Sequence, residues 1–305
     1  MLGEVVSAGD DTVAAFQLAG APAHGRYARL AAGAIDPILR RHDYPRPVAL
    51  LLGEALTLAA LVGSLLKVEG RLIVQAEGKG AVPLLVAEYR TPGALRGYAK
   101  IAQSEMARLA QMNAAPPGEL LGAGALVMTM ERGPGLPRHQ GVVALGADTL
   151  ALCAEEYFAQ SEQVPTRIRL AVAEHYTRGA PNPVWRSGGA LLQRIAGDAA
   201  RGDTDEAWRE AEILFASVED SELADPALGA DRVLYRLFHE RGVRMAAPAP
   251  LIEACTCNRD RLAALLGQFP EGERADLIEP DGLIHARCEF CSRLYLLEPG
   301  ELEGA

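Results

Sequence analysis

Two short cysteine pairs, Cys255-Thr256-Cys257 and Cys288-Glu289-Phe290-Cys291, constrain this chain more than any other feature. They lie in the last fifth of 305 residues, and the one further cysteine is Cys153. Four thiolates brought together by a loop can surround a tetrahedral metal ion. The same sulfurs, once oxidised, can instead pair with near neighbours as disulfides. The metal site requires residues 258–287 to fold back so that the second pair meets the first.

With 49% apolar residues the chain can bury a sizeable core, and its length suits more than one domain. Five cysteines, four of them clustered, do not make a secreted disulfide framework. The opening MLGEVVSAGDDTVAAF carries acids early and lacks a basic segment followed by an apolar run, so no signal peptide is expected. The expected compartment is the cytoplasm, where thiols stay reduced and metal binding is their commoner use. Pro47 to Leu66 is long enough to span a bilayer, but it carries Glu54 and is diluted by Ala, Gly, Ser and Thr. A buried helix of a globular domain, and no membrane partner, is the expectation. A net charge of −10 without any basic stripe argues against nucleic acid as a ligand.

The pattern predicts an α+β fold. Residues 1–185 read as a mixed-sheet core domain, 186–247 as a helical linker, and 248–305 as a small C-terminal zinc-binding domain. Strands are expected at Thr12–Ala19, Arg71–Ala76, Val82–Tyr89, Gly124–Met130, Gly141–Ala144 and Arg167–Glu174. Gly78 and Gly80 are expected to supply positive φ for a hairpin turn between the second and third of these. Helices are expected at Ala28–Arg41, Val48–Leu66, Thr149–Gln160 and Gly188–Ala200. Residues 203–244 hold 11 acids and 5 arginines, yet Trp208, Ala211, Phe215 and Val218 fall on one helical face. Val233, Leu234, Leu237 and Phe238 form a second stripe, ended by Gly242. Such a segment reads either as ordinary surface helices or as a marginal connector with little core of its own.

The C-x-C and C-x-x-C pairs predict one zinc ion on Cys255, Cys257, Cys288 and Cys291, with a helix at Arg259–Gln268 and a hairpin leading into the second pair. An iron–sulfur cluster is a poorer match to the C-x-C spacing. His285 is a possible substitute ligand, though all four sulfurs are available. So small a module depends on metal for its stability, so oxidation of its thiolates would also unfold it. A disulfide across C-x-C closes a short, strained and easily reduced ring, which makes a reversible switch physically reasonable. Cys153 reads as a small buried apolar residue. No catalytic motif stands out: His42-Asp43 has no partners at sensible spacing, and Glu54, alone in its apolar helix, reads as salt-bridged or half-exposed in preference to a functional carboxylate with a raised pKa.

The stretches GEALTLAALVGSLLKVEGRLIVQAEGKG (53–80), EEYFAQSEQVPTRI (155–168), RLFHERGV (236–243) and the CTC…CEFC arrangement resemble the redox-regulated heat-shock holdases, the 33 kDa chaperonin family of bacteria. The resemblance covers nearly the whole chain. It implies that Cys255, Cys257, Cys288 and Cys291 bind zinc in a reduced, inactive form. It further implies disulfides Cys255–Cys257 and Cys288–Cys291 on oxidation, with loss of zinc, unfolding of the small domain and loss of order in the linker. The implied product is a homodimer that holds unfolding client proteins without ATP and is not an enzyme. Two other classes stay open at this point. One is a thiol–disulfide oxidoreductase using Cys288 and Cys291, and the other is a zinc-ribbon nucleic-acid-binding protein.

Overall fold

The computed structural model describes residues 9–133, 136–195 and 205–302, and among them the architecture is α+β. The strands are β1 (Thr12–Leu18), β2 (Ala23–Leu30), β3 (Arg71–Gly78), β4 (Leu84–Arg90), β5 (Ala94–Lys100), β6 (Gly124–Glu131), β7 (His139–Ala144), β8 (Thr166–His175), β9 (Val184–Arg194), β10 (Val243–Met245), β11 (Ala249–Pro250), β12 (Ile252–Glu253), β13 (Ile284–Arg287) and β14 (Leu294–Leu297). The helices are α1 (Asp36–Arg40), α2 (Arg46–Gly63), α3 (Met106–Leu109), α4 (Pro117–Leu121), α5 (Leu150–Tyr157), α6 (Asp205–Ala216), α7 (Asp220–Ala224), α8 (Ala230–Phe238), α9 (Arg259–Leu266) and α10 (Glu271–Ala275). The chain divides into two compact units, Met1–Glu253 and Ala254–Ala305.

Two sheets and one helix organise the first unit. One sheet runs β10-β1-β2-β9-β8 with β11 also beside β1, and the other runs β12-β5-β4-β3-β6-β7. Helix α2 packs on β2, β8 and β9 of the first and on β3, β4 and β5 of the second. Covered on both sides, it can be apolar nearly all round. It is long and apolar enough to cross a membrane, but 83% of it is buried inside the fold, as befits a core helix.

The hairpin expected around 77–80 is β3–β4, paired from Arg71↔Arg90 to Glu77↔Leu84. Its glycines serve another purpose than expected, since neither Gly78 nor Gly80 has positive φ. A Cβ on Gly78 would stand 2.0 Å from the Leu121 carbonyl oxygen, and one on Gly80 2.4 Å from that of Leu120. The end of α4 crosses over the hairpin too closely for any side chain.

Two expected helices are corrected. The expected Ala28–Arg41 helix is the end of β2 followed by the short α1. Pro37 sits in the first turn of α1, where its missing N–H costs nothing, and β2 is held between β1 and β9. The expected Gly188–Ala200 helix is strand through Arg194, and residues 196–200 lie outside the described residues. Strand β9 is buried on both faces, so it lacks the alternation that marks a half-exposed strand. A Cβ on Gly188 would meet the Leu223 carbonyl oxygen at 1.9 Å on one side, and one on Gly189 would meet Thr57 Cγ2 at 2.7 Å on the other.

The second face of the β1-β2-β9-β8 sheet is covered by α6, α7 and α8. Trp208, Ala211, Phe215, Val218, Val233, Leu234, Leu237 and Phe238 are all buried there against Phe16, Leu18, Tyr27 and Leu192. Both predicted stripes therefore face inward. The helix pair ends at Gly242, whose φ of 72° suits glycine. Polar contacts tie down the turns between these helices. Arg29, buried in the sheet, donates to the carbonyl of Asp225 at 3.0 Å and to that of Leu228. Arg186 donates to the Ala224 carbonyl at 3.3 Å and Arg169 to the Val218 carbonyl at 3.1 Å. Asp10 pairs with both Arg29 and Arg186, at 3.0 and 2.6 Å. The hydrogen bond from Arg186, with the charges of both arginines, outweighs the effect of burial and lowers the Asp10 carboxyl below its ordinary value.

Candidate metal centre

The second unit is small. Its buried apolar cluster is Ala263, Ile284, Leu297 and Leu302. Helix α9 starts immediately after the first cysteine pair because Asn258 caps it, its side-chain oxygen accepting from the Arg261 backbone N–H at 2.8 Å. The second pair lies at the tip of the β13–β14 hairpin, whose ladder runs from Ile284↔Leu297 to Arg287↔Leu294. There the Cys288 N–H donates to the Arg293 carbonyl at 3.0 Å and the Ser292 N–H to the Cys288 carbonyl at 2.8 Å. Ser292 takes φ 54°, so the chain turns tightly around Cys288 and Cys291. Arg259 forks onto Glu301 at 2.6 and 2.7 Å, joining the start of α9 to the final turn.

These elements bring four sulfurs together. Cys255, Cys257, Cys288 and Cys291 present Sγ atoms all within 4.8 Å of one another, and among the described residues no other such group of His, Cys, Asp or Glu occurs. Cys255 Sγ lies 3.7 Å from Cys288 Sγ, and Cys257 Sγ lies 3.2 Å from Cys291 Sγ. A tetrahedral zinc site with Zn–S bonds of about 2.3 Å spaces its sulfurs at about 3.8 Å. The donor set and its spacing fit such an ion. All four cysteines are free thiols.

The sulfurs are not equivalent. Burial is the largest influence on Cys257, Cys288 and Cys291, and at Cys291 it pushes the thiol up to about 12. Burial raises Cys288 as well. At Cys257 burial acts in the same direction, but hydrogen bonds outweigh it, led by the Tyr295 hydroxyl 3.2 Å away, and bring the thiol down to about 7. One thiolate is thus favoured near neutrality even without a cation. A central divalent charge would draw the others into the same state.

No spacing in the sequence marks Tyr295 as a neighbour of the sulfurs. As the second residue of β14, close behind Cys291, it is placed to reach back to the sulfurs. His285 is excluded from the cluster by its own partner, as its Nε2 lies 2.8 Å from Asp281 Oδ2. His42 lies against Tyr44, with ring centroids 5.1 Å apart and the planes tilted by 36°. Cys153 is buried in α5, where burial raises its thiol. Glu54 is partly buried at the floor of a cavity beneath α6 and α7.

A family model described as Hsp33 protein matches residues 11–298. The 33 kDa chaperonin of Caulobacter vibrioides is 51% identical over 292 residues, covering 95% of each chain. That of Serratia proteamaculans is 37% identical over 262 residues, covering 86% of this chain and 83% of its own. The crystal structure of the Hsp33 homologue of Thermotoga maritima superposes with a TM-score of 0.77 at 22% identity, covering 96% of this chain and 97% of its own. That last likeness concerns the fold alone.

Proposed function

This chain belongs to the Hsp33 protein family, and from that premise we propose that it is a chaperone switched on by oxidation, holding unfolding proteins in the cytoplasm without ATP and without catalytic turnover. The observation that carries the reading is the convergence of four thiols within a unit that has so small an apolar core of its own. Cys255, Cys257, Cys288 and Cys291 are assigned as ligands of one zinc ion. Bound there, zinc would supply the metal–sulfur cross-links between the C-x-C segment and the hairpin tip that stabilise the unit.

Oxidation changes what these residues can do. Two thiolates of one pair and hydrogen peroxide react so that an S–S bond forms and the O–O bond breaks. The sulfurs lose two electrons, and the peroxide oxygens leave as two waters after taking two protons from solvent. With Cys255 joined to Cys257 and Cys288 to Cys291, neither pair offers anionic ligands, and the cross-link between segment and hairpin is gone. The second unit, from Ala254 on, acts as the switch, α6, α7 and α8 as the relay, and the two sheets with α2, β9 among them, as the core. Release of α6, α7 and α8 would uncover their own apolar stripes together with Phe16, Tyr27 and Leu192. That surface suits unfolded clients and a second copy of the oxidised chain.

An oxidoreductase built on Cys288 and Cys291 is the weaker reading. A catalytic C-x-x-C needs an exposed thiol of lowered pKa at a helix N-terminus. Here both thiols are raised and the second is followed by a strand. The acidic balance likewise disfavours a nucleic-acid role.

The test is suppression of aggregation of a chemically denatured client without nucleotide. Peroxide-treated protein at elevated temperature is expected to suppress it at near-stoichiometric ratio, and dithiol-reduced, zinc-loaded protein is expected not to. Equal protection by both forms contradicts the switch. Catalytic turnover in insulin reduction contradicts the absence of an enzyme activity.

A further inference from the structure

Helix α2 carries one charged side chain within its buried length, Glu54. It opens onto two cavities, of about 750 and 500 Å³, both of which also meet Asp220 at the start of α7. The larger is roofed by α6 through Ile213, Phe215 and Ala216. Glu54 is half-buried and shares both cavities with residues of the helices that cover the sheet.

Among the described residues that line these cavities, no cation is both held inside and unengaged by another group. From β8, Arg167 is committed to Glu212 at 2.7 Å and to Glu155 of α5 at 3.5 Å. Arg169, also from β8, donates to the Val218 carbonyl. Arg209 of α6 is exposed, and from the loop before α5 the second cavity adds the acid Asp148. Asp220 stands exposed at the rim as a like charge.

We propose that Glu54 is a proton-controlled latch for the α6–α7 segment, neutral while that segment is seated and ionised when it lifts. Desolvation first, and the Asp220 charge second, raise the carboxyl from 4.5 to about 7. The sign follows. The seated state favours the protonated acid, so its hold is fullest below the ordinary carboxylate range and weakens as pH rises through about 7. If the lifted segment returns Glu54 to its ordinary value, seating weakens about tenfold between about pH 6 and about pH 8. Acidification would fasten the relay, and alkaline conditions would ease its release for a given degree of oxidation.

The experiment measures hydrogen–deuterium exchange of amides in Asp205–Ala224 on the reduced, zinc-loaded full chain, corrected for the intrinsic pH dependence of exchange. Protection in this segment is expected to fall about tenfold from about pH 6 to about pH 8 in the natural protein. In Glu54→Gln it should stay at its acid value throughout, with β3 and β4 unchanged. A flat natural profile, or an equal fall in Glu54→Gln, overturns the latch. Should Glu54→Gln lose protection in the sheets, Asp220→Asn decides. A shift of the transition to lower pH supports the latch, and an unmoved transition overturns it. The latch rests on reading this segment as the relay, and the two fail separately. Protection that survives full oxidation sinks the relay, whereas pH-independent release sinks only the latch.

Discussion

Cys288→Ser is expected to unfold residues 254–302 of the reduced protein while leaving the two sheets of the first unit intact. A serine hydroxyl does not ionise to replace a thiolate ligand, and Cys288 is the buried member of the cluster. The unit it belongs to has four buried apolar side chains as its core, fewer than an independent domain of that size needs. In zinc-finger peptides the metal contributes on the order of 10–16 kcal/mol to folding, so losing the site decides the state of the whole unit. Bound zinc should fall from one per chain to a small fraction of that. Amide protection in α9, β13 and β14 should vanish, while that in β3, β4 and β9 persists. Cys153→Ala is the control, with full zinc content expected, because Cys153, in α5, is not one of the four clustered sulfurs. A folded second unit in Cys288→Ser would show that its core suffices without the metal.

Leu234→Ala should release the relay without any oxidant. Leu234 is fully buried beneath α8 in the cluster that includes Phe16, Tyr27 and Phe215. Truncating such a leucine costs about 2–5 kcal/mol through lost transfer energy and the cavity left behind. Alanine keeps the helix propensity of the site, so the loss falls on packing against the sheet. The reduced, zinc-loaded variant is expected to hold a denatured client to an extent approaching the oxidised natural protein. Tyr235→Ala on the same helix removes a side chain that is 65% exposed and should leave the reduced protein inactive. If Leu234→Ala loses protection in α6–α8 yet holds no client, the relay does not lead to the holding surface.

What was legible in the sequence follows from how local each signal is. The cysteine pairs announced a four-sulfur cluster because the capped helix and the hairpin that join them are short-range structures. Helix α2 and the two stripes of the relay were visible because one element, read alone, shows its own apolar face. Strands β2 and β9 were misread for the opposite reason. Each pairs with partners far away in sequence, such as Leu30↔Ser187, and long-range pairing overrides local propensity. Strand β9, sandwiched between α2 and the relay, has no polar face for alternation to reveal. The role of Tyr295 and the cavity around Glu54 depend on which side chains the fold brings together, and no spacing rule encodes that.

The central claim is that oxidation of the cysteine pairs releases the α6–α8 segment from the sheet. The most direct test follows amide exchange across the whole chain before and after peroxide at elevated temperature, with thiols counted in the same samples. The account predicts that loss of four thiols removes protection first from residues 254–302 and then from Asp205–Phe238, while β3, β4 and β9 stay protected. Four oxidised thiols with α6–α8 still protected would contradict it.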